Sequence, residues 1–277
     1  MKAAEPKIEY TLEEIRIKGK RELFRAGPRM RFVMPRISVR FTKWILNHAP
    51  NVTANQVTFV SAVLGMAAGV LLAWSGIWFA LAAFVVYQLH ILTDYIDGEI
   101  ARVKDTASPK GAYFDLMVGR FVKPFVLFGA AIGAWLEHGR ATDGGLDLLL
   151  GAIVVTGFLI DKEAVDVWYR SNIGHGGVIE DPYVIHSEHA IRGARRVVIR
   201  IAVGIRSIPA FLVYQIIAAA LVAAGFHGQS IGGYLLTPRS AILWFFAMSF
   251  PALAITRMYV IARTGHIPRR QDLVRDE

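Results

Sequence analysis

Residues 56–74 read QVTFVSAVLGMAAGVLLAW and residues 77–93 read IWFALAAFVVYQLHILT, with only Ser75 and Gly76 between them. The longer stretch Trp44–Thr93 contains no Asp, Glu, Lys or Arg. A helix needs about 20 mainly apolar residues to cross a bilayer. The stretch therefore predicts two spans, about Gln56–Trp74 and Ile77–Thr93, folded into a hairpin at the Ser-Gly turn. Working outward, four more apolar runs follow at about Phe121–Leu136, Leu146–Ile160, Ile208–Phe226 and Ser240–Ile255, separated by polar segments. The predicted fold class is an all-α integral membrane protein with six transmembrane helices.

Composition narrows the alternatives. Of 277 residues 54% are hydrophobic and 19% charged, and there is no cysteine. A disordered chain would be poorer in apolar residues, and a small disulfide-framed secreted domain needs cysteines. A net charge of +9 is compatible with nucleic acid, but here the charge is segregated from long apolar runs, which points to a membrane and to no nucleic-acid partner. Lys and Arg are held on the cytoplasmic side of membrane proteins. Residues 1–52, 99–123, 162–206 and 257–275 carry 29 of them, against Arg140 and Arg239 in the opposite loops. The expected placement is multi-pass in the inner (plasma) membrane, with both termini cytoplasmic.

Three regions follow from this layout: a basic arm over residues 1–50, a membrane domain over 51–264 and a cytoplasmic tail over 265–277. The arm lacks the apolar core and small-residue cleavage site of a signal peptide. Within it Phe32, Val33, Ile37, Phe41, Trp44 and Ile45 recur at roughly helical spacing among Arg31, Arg36, Arg40 and Lys43. This predicts an N-terminal interfacial amphipathic helix in contact with acidic lipid headgroups. Lys162 to Arg170 is expected to prolong the fourth helix, with Glu163, Asp166 and Arg170 on one stripe. The remainder, through Asn172, Gly174, Gly176 and Gly177 to the cluster Arg192, Arg195, Arg196 and Arg200, reads as a loop, and its His175, His186 and His189 as ordinary loop histidines.

The polar chemistry concentrates where the second span ends and the third begins. Asp94 and Asp97 are three apart, so on a helix they share a face, and Gly98 and Ala101 keep that neighbourhood narrow. Asp115 stands at the start of the next helix after a short loop, where it can oppose the pair. Two readings are open: Asp115 caps the third span while Asp94 pairs with an arginine, or the three carboxylates form an oxygen cage for a hard divalent cation. Ionisable groups at the ends of apolar spans are costly without a purpose, which favours the cage.

The spacing D-x2-D-G-x2-A-R-x8-G-x3-D, carried by Asp94, Asp97, Gly98, Ala101, Arg102, Gly111 and Asp115, resembles the signature of the CDP-alcohol phosphotransferases. It fixes seven positions within 22 residues at the end of the second span. Thr53-Ala-Asn55-Gln56-Val-Thr58 also resembles that family's T-P-N-x-x-T, with Ala54 in place of proline, and the likeness covers roughly residues 40–260. The resemblance implies a membrane transferase in which the hydroxyl of an acceptor alcohol attacks a CDP-linked alcohol, CDP-diacylglycerol foremost, and CMP is released in phospholipid synthesis. It also implies two divalent ions, Mg²⁺ or Mn²⁺, on Asp94, Asp97 and Asp115, a nucleotide pocket shaped by Gly98, Ala101, Arg102, Gly111 and Asn55, and a homodimer. The small-residue run Gly129-Ala-Ala-Ile-Gly133 would allow such helices to pack closely.

One position departs from the pattern. The family continues with a further Asp four residues after Asp115, and here that position is Gly119. A positioned general base is typically worth about 10² to 10⁴ in rate, so the resemblance implies an impaired transferase unless something compensates. An unusual acceptor, a substitute group among Glu99, Asp161 and His90, or a binding protein that holds CDP-lipid and metal without turnover would each fit. Arg120 and Lys123, on the following turns, are candidates to bind a phosphate on the acceptor or to snorkel towards the headgroups.

Overall fold

A computed structural model describes residues 10–19, 30–137, 145–173, 207–231 and 234–264. Its order is α1 (Leu12–Lys18), α2 (Met30–His48), α3 (Ala54–Leu72), α4 (Ile77–Val103), α5 (Pro109–Glu137), α6 (Gly145–Ile173), α7 (Ile208–Ala223), β1 (Gln229–Ile231), β2 (Tyr234–Leu236) and α8 (Pro238–Thr264). Among the described residues α3, α4, α5 and the first 19 residues of α8 are long and apolar enough to cross a membrane, and α7 is a shorter apolar helix. The chain divides into two compact units, residues 1–68 with 84–123, and residues 69–83 with 124–277.

The hairpin turns where the sequence reading puts it. Gly76 has φ of +110°, a left-handed conformation open to glycine and costly for other residues. α4 does not stop near Thr93 but runs to Val103, which places Asp94 and Asp97 inside a helix. α5 starts twelve residues ahead of the predicted span. Pro109 suits a first helical position, and the Ser108 hydroxyl accepts from the Gly111 N–H at 3.1 Å, so the cap is Ser108 and Asp115 lies well inside the helix. The capping reading of Asp115 is thereby corrected. α3 begins with a reciprocal cap: Thr53 Oγ1 accepts from Gln56 N at 3.3 Å and Gln56 Oε1 from Thr53 N at 2.9 Å.

In the first unit α1 was not anticipated. Thr11 and Glu14 form its capping box, and Ile15 is fully buried in a cluster with Val39, Leu46, Val57, Ile96, Ile100 and Val103. α2 turns Ser38, Val39, Thr42 and Leu46 inward and leaves Arg36, Arg40, Phe41 and Trp44 outward.

In the second unit α6 packs along α8, with Phe158 edge-on to Phe250 and Phe211 edge-on to Phe246. α6 continues through Lys162 to Ile173 as the polar stripe predicts. The polar segment before α8 holds a small antiparallel hairpin, Gln229 opposite Leu236 and Ile231 opposite Tyr234, so the all-α expectation needs this one correction. The run Gly129–Gly133 packs internally: a Cβ at Gly129 would stand 2.1 Å from the Gly69 carbonyl oxygen, and one at Gly133 2.4 Å from that of Leu72. These small residues let α3 and α5 approach each other within the chain. Arg140, the 174–206 loop with its histidines and arginines, and the 265–277 tail lie outside the described residues.

Candidate functional site

Asp94 and Asp97 reach one face of α4, as their spacing of three requires, and α5 brings Asp115 opposite them. One carboxylate oxygen from each lies within 4.8 Å of the other two. Asp94 is exposed, Asp115 half-buried and Asp97 only 4% exposed. Thr58 Oγ1 of α3 donates to Asp97 Oδ2 at 2.7 Å, which fixes the buried carboxylate from behind. Among the described residues no Lys or Arg pairs with Asp94 or Asp97.

Such an arrangement fits a hard cation. Magnesium-sized ions bind oxygens at about 2.0–2.1 Å, which spaces neighbouring ligands about 3–4 Å apart, within the span that these carboxylates cover. A cluster of like charges around one buried member is unfavourable on its own and is offset when a divalent ion enters.

The other predicted residues have these surroundings. The Gly111 Cα turns towards Asn55, whose Oδ1 would lie 3.6 Å from a Cβ there. Gly98 is covered by Arg102, with Nη1 and Nη2 at 3.0 and 3.3 Å from a Cβ at that position. Arg102 Nε donates to the Gly19 carbonyl at the end of α1, at 3.0 Å. The missing side chain of Gly98 thus admits the guanidinium of Arg102. Ala101 accepts the Thr106 N–H at 2.9 Å and closes the α4 end. Lys104 Nζ donates to the carbonyls of Pro50 and Val52, and burial pushes its ammonium pKa down. Arg120 and Lys123 are half-buried on the α5 turns that follow Asp115.

The candidate substitutes for the missing carboxylate stand differently. Glu99 is two residues past Asp97 and so faces away from it. It is buried against α2, where Ser38 Oγ and Thr42 Oγ1 each donate to its carboxylate at 2.5 Å. His90 is buried one turn from Asp94, its Nδ1 held 2.8 Å from Ser61 Oγ and 2.9 Å from Ser61 O. Asp161 is buried on α6 in the other unit. The sequence reading gave no role to Thr58, Ser38, Thr42 or Ser61. The signal for Thr58 was its place at the end of the Thr53–Thr58 stretch, and for Ser38 and Thr42 their i, i+4 spacing on a basic helix.

An open groove of about 730 Å³ lies between the first turns of α3 and α5, lined by Asn55, Gln56, Phe59, Val60, Lys110, Tyr113 and Phe114. Its walls are apolar, and its polar rim is shared with the Gly111 neighbourhood.

The sequence profile of the CDP-alcohol phosphatidyltransferases matches residues 51–260. A bifunctional IPC transferase and DIPP synthase of Rubrobacter xylanophilus is 36% identical over 69 residues, 25% of this chain and 15% of that protein. The matched stretch is therefore a small part of the relative's length.

Proposed function

Because the chain belongs to the CDP-alcohol phosphatidyltransferase family, we propose that it is an integral membrane enzyme that moves a substituted phosphate from a CDP-alcohol to an acceptor alcohol and releases CMP. The observation that carries this reading is the convergence of Asp94, Asp97 and Asp115 on one point, with Asp97 buried and held by Thr58.

In this reading the three carboxylates hold divalent magnesium or manganese. The bound metal supplies charge neutralisation on the diphosphate oxygens and on the leaving CMP. Thr58 keeps the Asp97 oxygens turned towards the site, and the α1–Arg102 contact holds a guanidinium over Gly98, where it can meet a phosphate oxygen. The acceptor oxygen forms a new bond to the phosphorus that carries the donor alcohol, the bond from that phosphorus to the CMP oxygen breaks, and the hydroxyl proton leaves to a base. Positioning and electrostatics supply most of the rate in such transfers. The groove beside Asn55, apolar with Lys110 at its rim, suits the acyl part of CDP-diacylglycerol.

The placement proposed with it is six spans in the inner membrane, α2 in the headgroup layer and the site at the cytoplasmic face, on the strength of the 29-to-2 distribution of Lys and Arg. Gly119 favours a second reading, a protein that binds CDP-lipid and metal without turnover. CMP release from CDP-diacylglycerol, with Mg²⁺ or Mn²⁺ and a panel of acceptor alcohols, decides between them. Release that Asp97→Asn abolishes supports the transferase. Nucleotide binding without release by any acceptor supports the second reading, and absence of both overturns the family-based assignment of activity.

A further inference from the structure

On α5 positions 115, 119 and 123 follow at i, i+4 and i+8, so they rise along one face. Gly119 contributes no side chain, and the nearest atom to a Cβ built there is Lys123 Nζ, at 3.7 Å. The Lys123 side chain therefore runs back along the helix, the direction long side chains take, and lays its ammonium in the space that a side chain at 119 would fill. Its Cα stands about 12 Å along the axis from that of Asp115, deep for a charge on an apolar helix, so it needs an opposite charge nearby. Position 119 is one turn, about 6 Å, from Asp115 along the helix, so the ammonium is brought towards the third carboxylate.

We propose that Lys123 is the resident cation of this carboxylate site, holding the place of one divalent ion and binding the substrate's phosphate oxygens directly, so that a single divalent ion suffices. Three carboxylates and one divalent ion leave one negative charge, and the ammonium cancels it. With a fourth carboxylate at position 119 and no ammonium, the same neutrality would call for two divalent ions. The inference rests on the reading of the Asp cluster as a divalent-ion site, and it departs from the pair of ions that the family resemblance implies.

The test is a Mn²⁺ titration of the purified full-length chain, followed by the resonance of free Mn²⁺, with CDP as the nucleotide probe. The wild-type chain is expected to take up one Mn²⁺. Lys123→Met, by removing a like charge, should tighten that ion about tenfold and weaken CDP by about the same factor at saturating Mn²⁺, an opposed pair of shifts that a merely structural lysine would not give. Lys123→Arg should keep both affinities close to wild type. Gly119→Asp with Lys123→Met, which offers four carboxylates and no ammonium, should take up a second ion. The space at 119 admits the change, because its nearest neighbour is the flexible end of Lys123. Two ions in the wild-type chain would overturn the proposal. So would unchanged Mn²⁺ affinity in Lys123→Met alongside its loss in Asp97→Asn, and either result leaves the metal site standing. No saturable Mn²⁺ binding by the wild-type chain would overturn the metal site and this inference together.

Discussion

Among the described residues, two of the clusters that bury charge handle it in opposite ways. Around Arg239, which is fully buried, the guanidinium has its Nε 3.2 Å from Glu137 Oε1 and donates to the carbonyls of Leu72 and Trp74 at the end of α3. Nearby on the chain, the Tyr234 hydroxyl donates to the buried Asp147 at 2.7 Å. Every charge there meets an opposite charge or a dipole, and the orphan carbonyls of a helix end are satisfied. Around Asp97 three carboxylates converge instead, with a hydroxyl as the fixed neutral support. A cluster that balances its own charge is explained by stability. One that gathers like charges around a buried member stores an affinity for a cation, and so reads as function.

If that contrast is right, removing Arg239 damages folding and not the site. Arg239→Ala takes the buried guanidinium away from Glu137 and frees two carbonyls. Breaking a buried pair costs about 3–5 kcal/mol, so the variant should melt well below wild type while Mn²⁺ affinity per folded molecule stays the same. A parallel loss of Mn²⁺ affinity in the folded fraction would remove the distinction between the clusters.

The glycines of α5 sharpen the structural side. Gly129→Val would drive a side chain into the Gly69 carbonyl, 2.1 Å from the new Cβ. Overpacking of this kind costs about 1–3 kcal/mol. The oligomeric state, read by light scattering, should not change, since the small-residue face is used within the chain. A switch in that state would return this stripe to an interface between copies.

On the site side, Thr58→Val keeps the volume and removes the hydroxyl behind Asp97. A group that orients a metal ligand is worth about 10–100-fold in metal affinity, so Mn²⁺ binding should weaken by that factor with little change in melting. An unchanged affinity would mean that Asp97 needs no support.

The sequence carried the two clusters unequally. The hairpin was legible because fifty residues without charge leave few alternatives to membrane helices. The Asp trio was legible because spacing of three puts two of them on one face whatever the tertiary structure. Glu99 was harder: it is as acidic as its neighbours, and only the phase of the helix, 200° from Asp97 at 100° per residue, separates a structural carboxylate held by Ser38 and Thr42 from a site residue. Arg239 was read as one of two charges in the loops opposite the basic face. Its partners lie up to 167 residues away along the chain, and no local pattern reports that a lone arginine after a proline turns inward. The short helix α1 escaped for a related reason, because its single buried anchor, Ile15, gains meaning only from the cluster it enters.

The smallest effect belongs to Tyr234, at the edge of the self-balanced cluster. Burial, helped by the adjacent Asp147 carboxylate, raises its hydroxyl from the ordinary 10.0 to about 12. The protonated form is therefore favoured more in the folded chain than in the unfolded one. Its stabilising contribution is complete below about pH 10 and is lost as the pH rises through about 12. Tyr234→Phe removes the group that titrates, so melting should depend less on pH across that interval in the variant than in wild type, while the two respond alike below it. Identical slopes in the alkaline interval would mean that Tyr234 is not held buried beside Asp147 in the folded chain, and the self-balancing assigned to that cluster would then rest on Arg239 alone.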